Sequence, residues 1–146
     1  IEKPNLSKQE KVDILDRFRS ESNTGAVLLA VVSGSFGEGI DLPGDLLKAV
    51  ILVGIPLDKP NLETLELIRY FDEKHGKGWD YGYLFPAFNK VMQNAGRCIR
   101  SENDRGIIVF LDERYIRPNY KRCFPPDWEM RASKDFVGEI TGFFKR

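Results

Sequence analysis

A chain of 146 residues, 42% hydrophobic and 30% charged, is long enough for one domain with a real core. Its 22 basic and 22 acidic residues cancel, so no global field favours nucleic acid or an anionic surface, and any such site must be local. No apolar run approaches the ~18 residues that span a bilayer, and the N-terminus is polar, unlike a signal peptide. Two cysteines, Cys98 and Cys123, do not make a disulfide framework and suit a reducing compartment. With the single histidine, His75, they also argue against a zinc or iron–sulfur site within this chain.

In chain order, Ser7 and Glu10 form a capping box that predicts a helix over about 8–20, with Val12, Leu15 and Phe18 on one face. Asn23-Thr24-Gly25 ends it. Ala26 to Val32 is uninterruptedly apolar, as expected of a strand buried on both faces, and it runs into a glycine-rich loop from Ser33. Ala49 to Ile55 predicts a second buried strand. A helix follows from Pro60-Asn61 to His75-Gly76, with Leu62, Leu65, Ile68 and Phe71 facing inward. Gly76 to Phe85 is expected to be a loop, with Trp79, Tyr81, Tyr83 and Phe85 at alternate positions. Pro86 opens another helix ending near Ser101, Ile107 to Leu111 is a third strand, and Arg117-Pro118 and Pro125-Pro126 mark an irregular crossing. Phe136, Val137, Ile140, Phe143 and Phe144 predict a docking helix over about 133–145. Helices alternating with buried strands mean an α/β fold, a parallel sheet with helices on both faces. Three strands make a thin sheet, so a preceding strand–helix unit is expected to be missing.

Two stretches carry candidate chemistry. Gln93, Arg97 and Arg100 fall within roughly 60° of one another on a helix, opposite Phe88, Val91, Met92, Ala95 and Ile99. The arginines are permanently charged forks suited to phosphate, although a solvated polar face accounts for such spacing equally well. At the carboxyl end of the first strand stands Ser33-Gly34-Ser35-Phe36-Gly37-Glu38-Gly39-Ile40-Asp41, where ligands of open α/β sheets bind. It has neither the Gly-Lys-Ser/Thr of a P-loop nor the glycine spacing of a dinucleotide site. Together the stretches supply no phosphate cradle and no catalytic base. They supply the opposite side of a nucleotide site, in the manner of an arginine finger.

Gly34 to Asp41 resembles motif V, and Gln93 to Arg100 (Q-x-x-G-R-x-x-R) resembles motif VI, of superfamily 2 helicases. The continuation from Ile99 through Asp112-Glu113-Arg114-Tyr115 resembles the XPD/DinG branch of iron–sulfur DNA helicases, in wording closest to archaeal XPD-like members. The resemblance covers almost the whole chain and implies most of the second RecA-like motor domain, over residues 1–146. It implies that Arg97 and Arg100 reach the β- and γ-phosphates of ATP held mainly by the first motor domain, with Gln93 setting their position. Glu38, Gly39 and Asp41 would then lie at the nucleotide edge, and Ser33, Gly34, Ser35 and Phe36 towards single-stranded DNA. The implied partners are single-stranded DNA, the first RecA-like domain, and repair or transcription-factor assemblies, with no membrane. The implied cofactors are ATP and Mg²⁺ shared with the first domain, and a 4Fe–4S cluster outside this chain. The implied location is cytoplasmic and nucleoid-associated, or nuclear in a eukaryote, with 5′ to 3′ movement.

The Walker lysine, the acidic box, the four cluster cysteines and the arch insertion of the family are not in this sequence, so the chain alone is expected to be inactive. Glu38 is rejected as a general base, because that role belongs to the other domain. A different class of function, a non-catalytic RecA-like interaction or regulatory module, would use the hydrophobic C-terminal helix. The aromatic stripe and Phe36 could stack bases but more commonly pin a loop. Arg114, Arg117, Lys121 and Arg122 read as a solvated surface before a phosphate contact, and Cys98 as a small packing residue.

Overall fold

The computed structural model describes residues 1–37, 46–57, 59–99 and 101–145. Its first helix, α1 (Lys8–Ser20), starts where the capping box requires: Ser7 Oγ accepts from the Glu10 amide and the Glu10 carboxylate accepts from the Ser7 amide. The helix docks shallowly. Leu15 and Phe18 are half-buried, Val12 is exposed, and no residue of α1 is buried.

The apolar run 26–32 is not the expected strand. Val27, Leu29 and Val31 face solvent, while Leu28 and Val32 on the alternate side are half-buried. Among the described residues no strand pairs with it. Its backbone bonds instead to Glu2, whose amide donates to the Leu29 carbonyl at 2.8 Å. An apolar run reports that a segment can be buried; it does not supply the neighbouring strand whose ladder would make it one.

The sheet consists of β1 (Ala49–Val53) and β2 (Ile107–Leu111), parallel, with Ala49 opposite Ile107 and Val53 opposite Leu111. The parallel α/β architecture therefore stands, with two strands among the described residues. One face is covered: Leu52, Val50, Ile108 and Phe110 pack with Leu84, Phe88, Val91 and Ala95 of the helical segment before β2 and with Tyr115 and Phe124 after it. Aromatic rings fill this layer edge-on, Phe88 to Phe124 at 5.3 Å and Phe110 to Phe124 at 5.0 Å between centroids. On the other face Ile51, Val53 and Leu111 remain exposed.

Helix α2 (Leu62–His75) is capped by Asn61 and closed by Gly76 in the left-handed region at φ 63°. Only Ile68 and Phe71 of its expected inward face are half-buried; Leu62 and Leu65 are exposed. Within the expected loop at 76–85, residues 78–85 are helical. A π-turn spans Asp80–Leu84, with the Phe85 amide bonded to the Asp80 carbonyl five residues back, and leads directly into α3 (Phe85–Ala95). Pro86 has no N–H to return to the preceding turn, which favours a widened turn there. Gly82 lets this segment touch α2, since a Cβ on it would lie 2.7 Å from the Ile68 amide nitrogen. The alternating aromatics pair four apart along the helical path, Trp79 with Tyr83 at 4.6 Å and Tyr81 with Phe85 at 5.4 Å.

Helix α3 ends at Ala95, earlier than expected. A 3-10 turn, Gly96–Cys98, and extended Ile99 follow. After β2, a 3-10 turn over Glu113–Ile116 and the short α4 (Pro118–Lys121) form the irregular crossing. The final helix, α5 (Phe136–Phe144), is capped by Asp135 and buries no residue fully. Arg105 anchors it, donating to the Phe143 carbonyl at 3.1 Å with its guanidinium over the Phe143 ring.

Candidate functional site

The glycine-rich loop and the arginine-bearing turn meet. Lys90, Asn94 and Arg97, four and three residues apart, form a stripe along α3 and its 3-10 extension that faces residues 32–37. Lys90 Nζ lies 3.3 Å from Ser33 Oγ, and Asn94 Nδ2 lies 3.5 Å from the Val32 carbonyl while donating at 2.8 Å to the Lys90 carbonyl. Arg97 Nη2 donates to the Gly37 carbonyl. A permanently charged fork is thus seated on a backbone acceptor 60 residues away in sequence.

The loop is folded tightly enough to need glycine at that acceptor. The Gly34 amide bonds to the Val31 carbonyl at 2.8 Å and the Gly37 amide to the Gly34 carbonyl at 3.0 Å. A Cβ on Gly37 would lie 1.9 Å from the Val32 carbonyl oxygen, a backbone atom that cannot step aside. Phe36 is buried at 4% exposure, so its ring packs inward and pins the loop, the commoner of the two roles expected for it. Ser33 is exposed, while the Ser35 amide already donates to a Glu2 carboxylate oxygen at 2.6 Å.

Gln93 is exposed on α3, a step round the helix from the Lys90–Asn94 stripe. Glu38, Gly39, Asp41 and Arg100 lie outside the described residues. Glu2, which holds the loop, and Lys90 and Asn94, which with Arg97 join the loop segment to the helical one, were missed. The last two carried a signal, since they share the helical spacing of Arg97; Glu2 carried none.

Around this site the remaining candidates resolve into structural roles. Cys98 is buried beside the Ala95 and Ile107 carbonyls, and burial pushes its thiol pKa up, away from reactivity. The three arginines of the basic cluster are ion-paired. Arg114 forks the Asp112 carboxylate with contacts down to 2.6 Å, Arg117 pairs with Glu113, and Arg122 meets Asp80 at 2.5 Å. Arg114 holds the Asp112 carboxyl below the usual carboxylate range. Tyr115 donates to the Gly54 carbonyl at 2.6 Å, and burial pushes its phenol up to about 12. Among the described residues no group of three or more His, Cys, Asp or Glu side chains is placed to hold a metal ion.

The pairing of a glycine-rich loop with an arginine turn beside a parallel sheet coincides with a family match over residues 1–131, to the helicase C-terminal domain. The chain belongs to that family. It is similar to the ATP-dependent DNA helicase chl-1 of Caenorhabditis elegans, 34% identical over 119 residues, covering 80% of this chain and 14% of the relative. With the ATP-dependent DNA helicase DinG of Photobacterium profundum it shares 36% identity over 110 residues, covering 75% of this chain and 16% of the relative. With the general transcription and DNA repair factor IIH helicase subunit XPD of Dictyostelium discoideum the identity is 35% over 109 residues, covering 74% and 14%. This helicase C-terminal domain is thus of the XPD/DinG type and spans only a small part of the length of these relatives. Arg97 lies inside the matched region; all of α5 lies beyond it.

Proposed function

We propose that this domain is the second motor half of an ATP-dependent DNA helicase. It supplies the arginine side of the ATP site and part of the path for single-stranded DNA. The observation that carries the reading is the bond from Arg97 to the Gly37 carbonyl, which links the turn resembling motif VI to the loop resembling motif V. Seated there, the guanidinium lies beside the glycine-rich loop, where it can stabilise charge on the phosphoryl group transferring from ATP held by the first motor domain. Gln93, Arg100, Glu38, Gly39 and Asp41 complete the nucleotide side by resemblance. Ser33, Gly34, Ser35 and Phe36 form the DNA side by resemblance, with the Phe36 ring turned inward.

Mg²⁺ and most of the phosphate contacts belong to the first domain in this reading, and a 4Fe–4S cluster to a part of the protein outside this chain. The full protein would move 5′ to 3′ along single-stranded DNA, in the nucleoid or nucleus, with repair or transcription assemblies as partners. A second reading, a RecA-like interaction module without catalysis, draws on the exposed Phe136, Val137 and Phe144 of α5.

Mixing the 146-residue chain with a separately produced first motor domain and measuring ATP hydrolysis decides between them. The helicase reading expects silence from either piece alone and single-strand-stimulated hydrolysis from the mixture. Hydrolysis by this chain alone at a helicase-like rate contradicts it, and a silent mixture whose pieces demonstrably associate favours the module.

A further inference from the structure

Three observations converge on Glu2, which lies outside both motif-like stretches. Its carboxylate accepts from the Val31 amide at 2.7 Å and from the Ser35 amide at 2.6 Å, the two ends of the turn that opens the glycine-rich loop. Its own amide donates to the Leu29 carbonyl at 2.8 Å, which fixes the backbone carrying the carboxylate. A Cβ on Gly34 would lie 2.6 Å from both carboxylate oxygens, so the space a side chain would fill at position 34 is taken by Glu2.

We propose that Glu2 is a positioning residue for the reaction: a carboxylate strap that sets the geometry of the loop and, through it, the seat of Arg97. The inference rests on the helicase reading for its catalytic consequence. The connection is a continuous series of bonds. The strap closes the turn at Val31 and Ser35, the Gly34 carbonyl accepts the Gly37 amide, and the Gly37 carbonyl accepts Arg97. Charge-assisted bonds from two amides to one carboxylate are short and directional, so they define position better than a neutral side chain could. They also make Gly34 intelligible: a methyl there would evict the flexible end of Glu2, so Gly34→Ala and Glu2→Ala should disturb the same thing.

The test uses the full-length protein carrying both motor halves, with Glu2→Ala, Gly34→Ala and the double substitution. Each single substitution is expected to lower DNA-stimulated turnover by about fivefold or more, and the double to be no worse than Glu2→Ala alone. Formate, small enough to occupy the vacated place between the two amides, should restore turnover to Glu2→Ala and leave wild type unchanged. Losses that multiply in the double variant, or a Glu2→Ala defect that formate does not relieve, overturn the proposal. Hydrogen exchange at the Val31 and Ser35 amides supplies a readout that does not depend on catalysis. It should accelerate about tenfold in Glu2→Ala and slow again with formate, and unchanged exchange overturns the strap. A wild-type protein with no DNA-stimulated turnover would defeat the helicase reading instead, leaving exchange to judge the strap.

Discussion

Two regions of this domain are held together in opposite ways. Between the sheet and α3 the contacts are apolar and many: Leu52, Phe88, Val91, Tyr115 and Phe124 enclose one another, and each ring has several neighbours. Where residues 31–37 meet Glu2 and α3, the contacts that fix the backbone are polar: Glu2 to two amides, Lys90 to the Ser33 hydroxyl and Arg97 to the Gly37 carbonyl, while Val32 and Phe36 turn inward. The first kind of contact is non-directional and forgiving of small shifts. The second is directional, so it specifies where a charge sits but contributes little burial. In the proposed helicase reading, which would have this domain bring a guanidinium to a partner's phosphate, the second region has to be defined while the first bears the cost of folding.

Substitutions can separate the two. The largest expected effect is on the apolar side: Phe88→Ala should cost about 3–5 kcal/mol, because a nearly fully buried ring is replaced by a cavity. Chemical denaturation should show the whole domain losing stability together; a loss confined to residues 31–37 would break the comparison. Gly37→Ala should do the reverse. Its methyl meets a backbone carbonyl, so the loop must shift at a cost of about 1–3 kcal/mol, and the seat of Arg97 moves with it. The expected signature is activity lost out of proportion to stability, measured as turnover against unfolding midpoint.

Much of the apolar region was legible from sequence, and little of the polar one. The capping box at Ser7, the Asn61 and Gly76 ends of α2, and the two strands at 49–53 and 107–111 all appear where local rules place them. The misplaced elements share a cause: their local pattern is ambiguous until a neighbour is known. Residues 26–32 are as apolar as β1 but have no ladder partner among the described residues. The alternation of Trp79, Tyr81, Tyr83 and Phe85 resembles period two, yet on a π-turned helix it makes two pairs four apart. The site was half legible for a similar reason. Arg97 was visible as a charged fork, but its partner is a carbonyl, and every residue has one. Nothing about Glu2 in the sequence announces that it binds amides 29 and 33 residues further along.

Smaller effects sharpen the contrast. Tyr115→Phe removes one buried hydrogen bond to the Gly54 carbonyl and should cost about 1 kcal/mol with the activity profile unchanged in shape. For Asp112, Arg114 lowers the folded-state pKa, so the pair's contribution is present above the unfolded value near about 4 and is lost as pH falls through the lower folded value. Melting curves from pH 6 downwards to about 2.5 should therefore converge for wild type and Asp112→Asn at the acid end. A gap between them that persists undiminished in acid would contradict that assignment.

Everything proposed for function passes through Arg97 and the carbonyl on which it rests. The direct measurement is single-strand-stimulated ATP turnover of the full-length protein with Arg97→Ala, alongside its unfolding midpoint. Loss of an arginine finger lowers turnover on the order of 10³-fold while the domain stays folded. Turnover within a factor of a few of wild type would contradict the assignment of this turn to the ATP site.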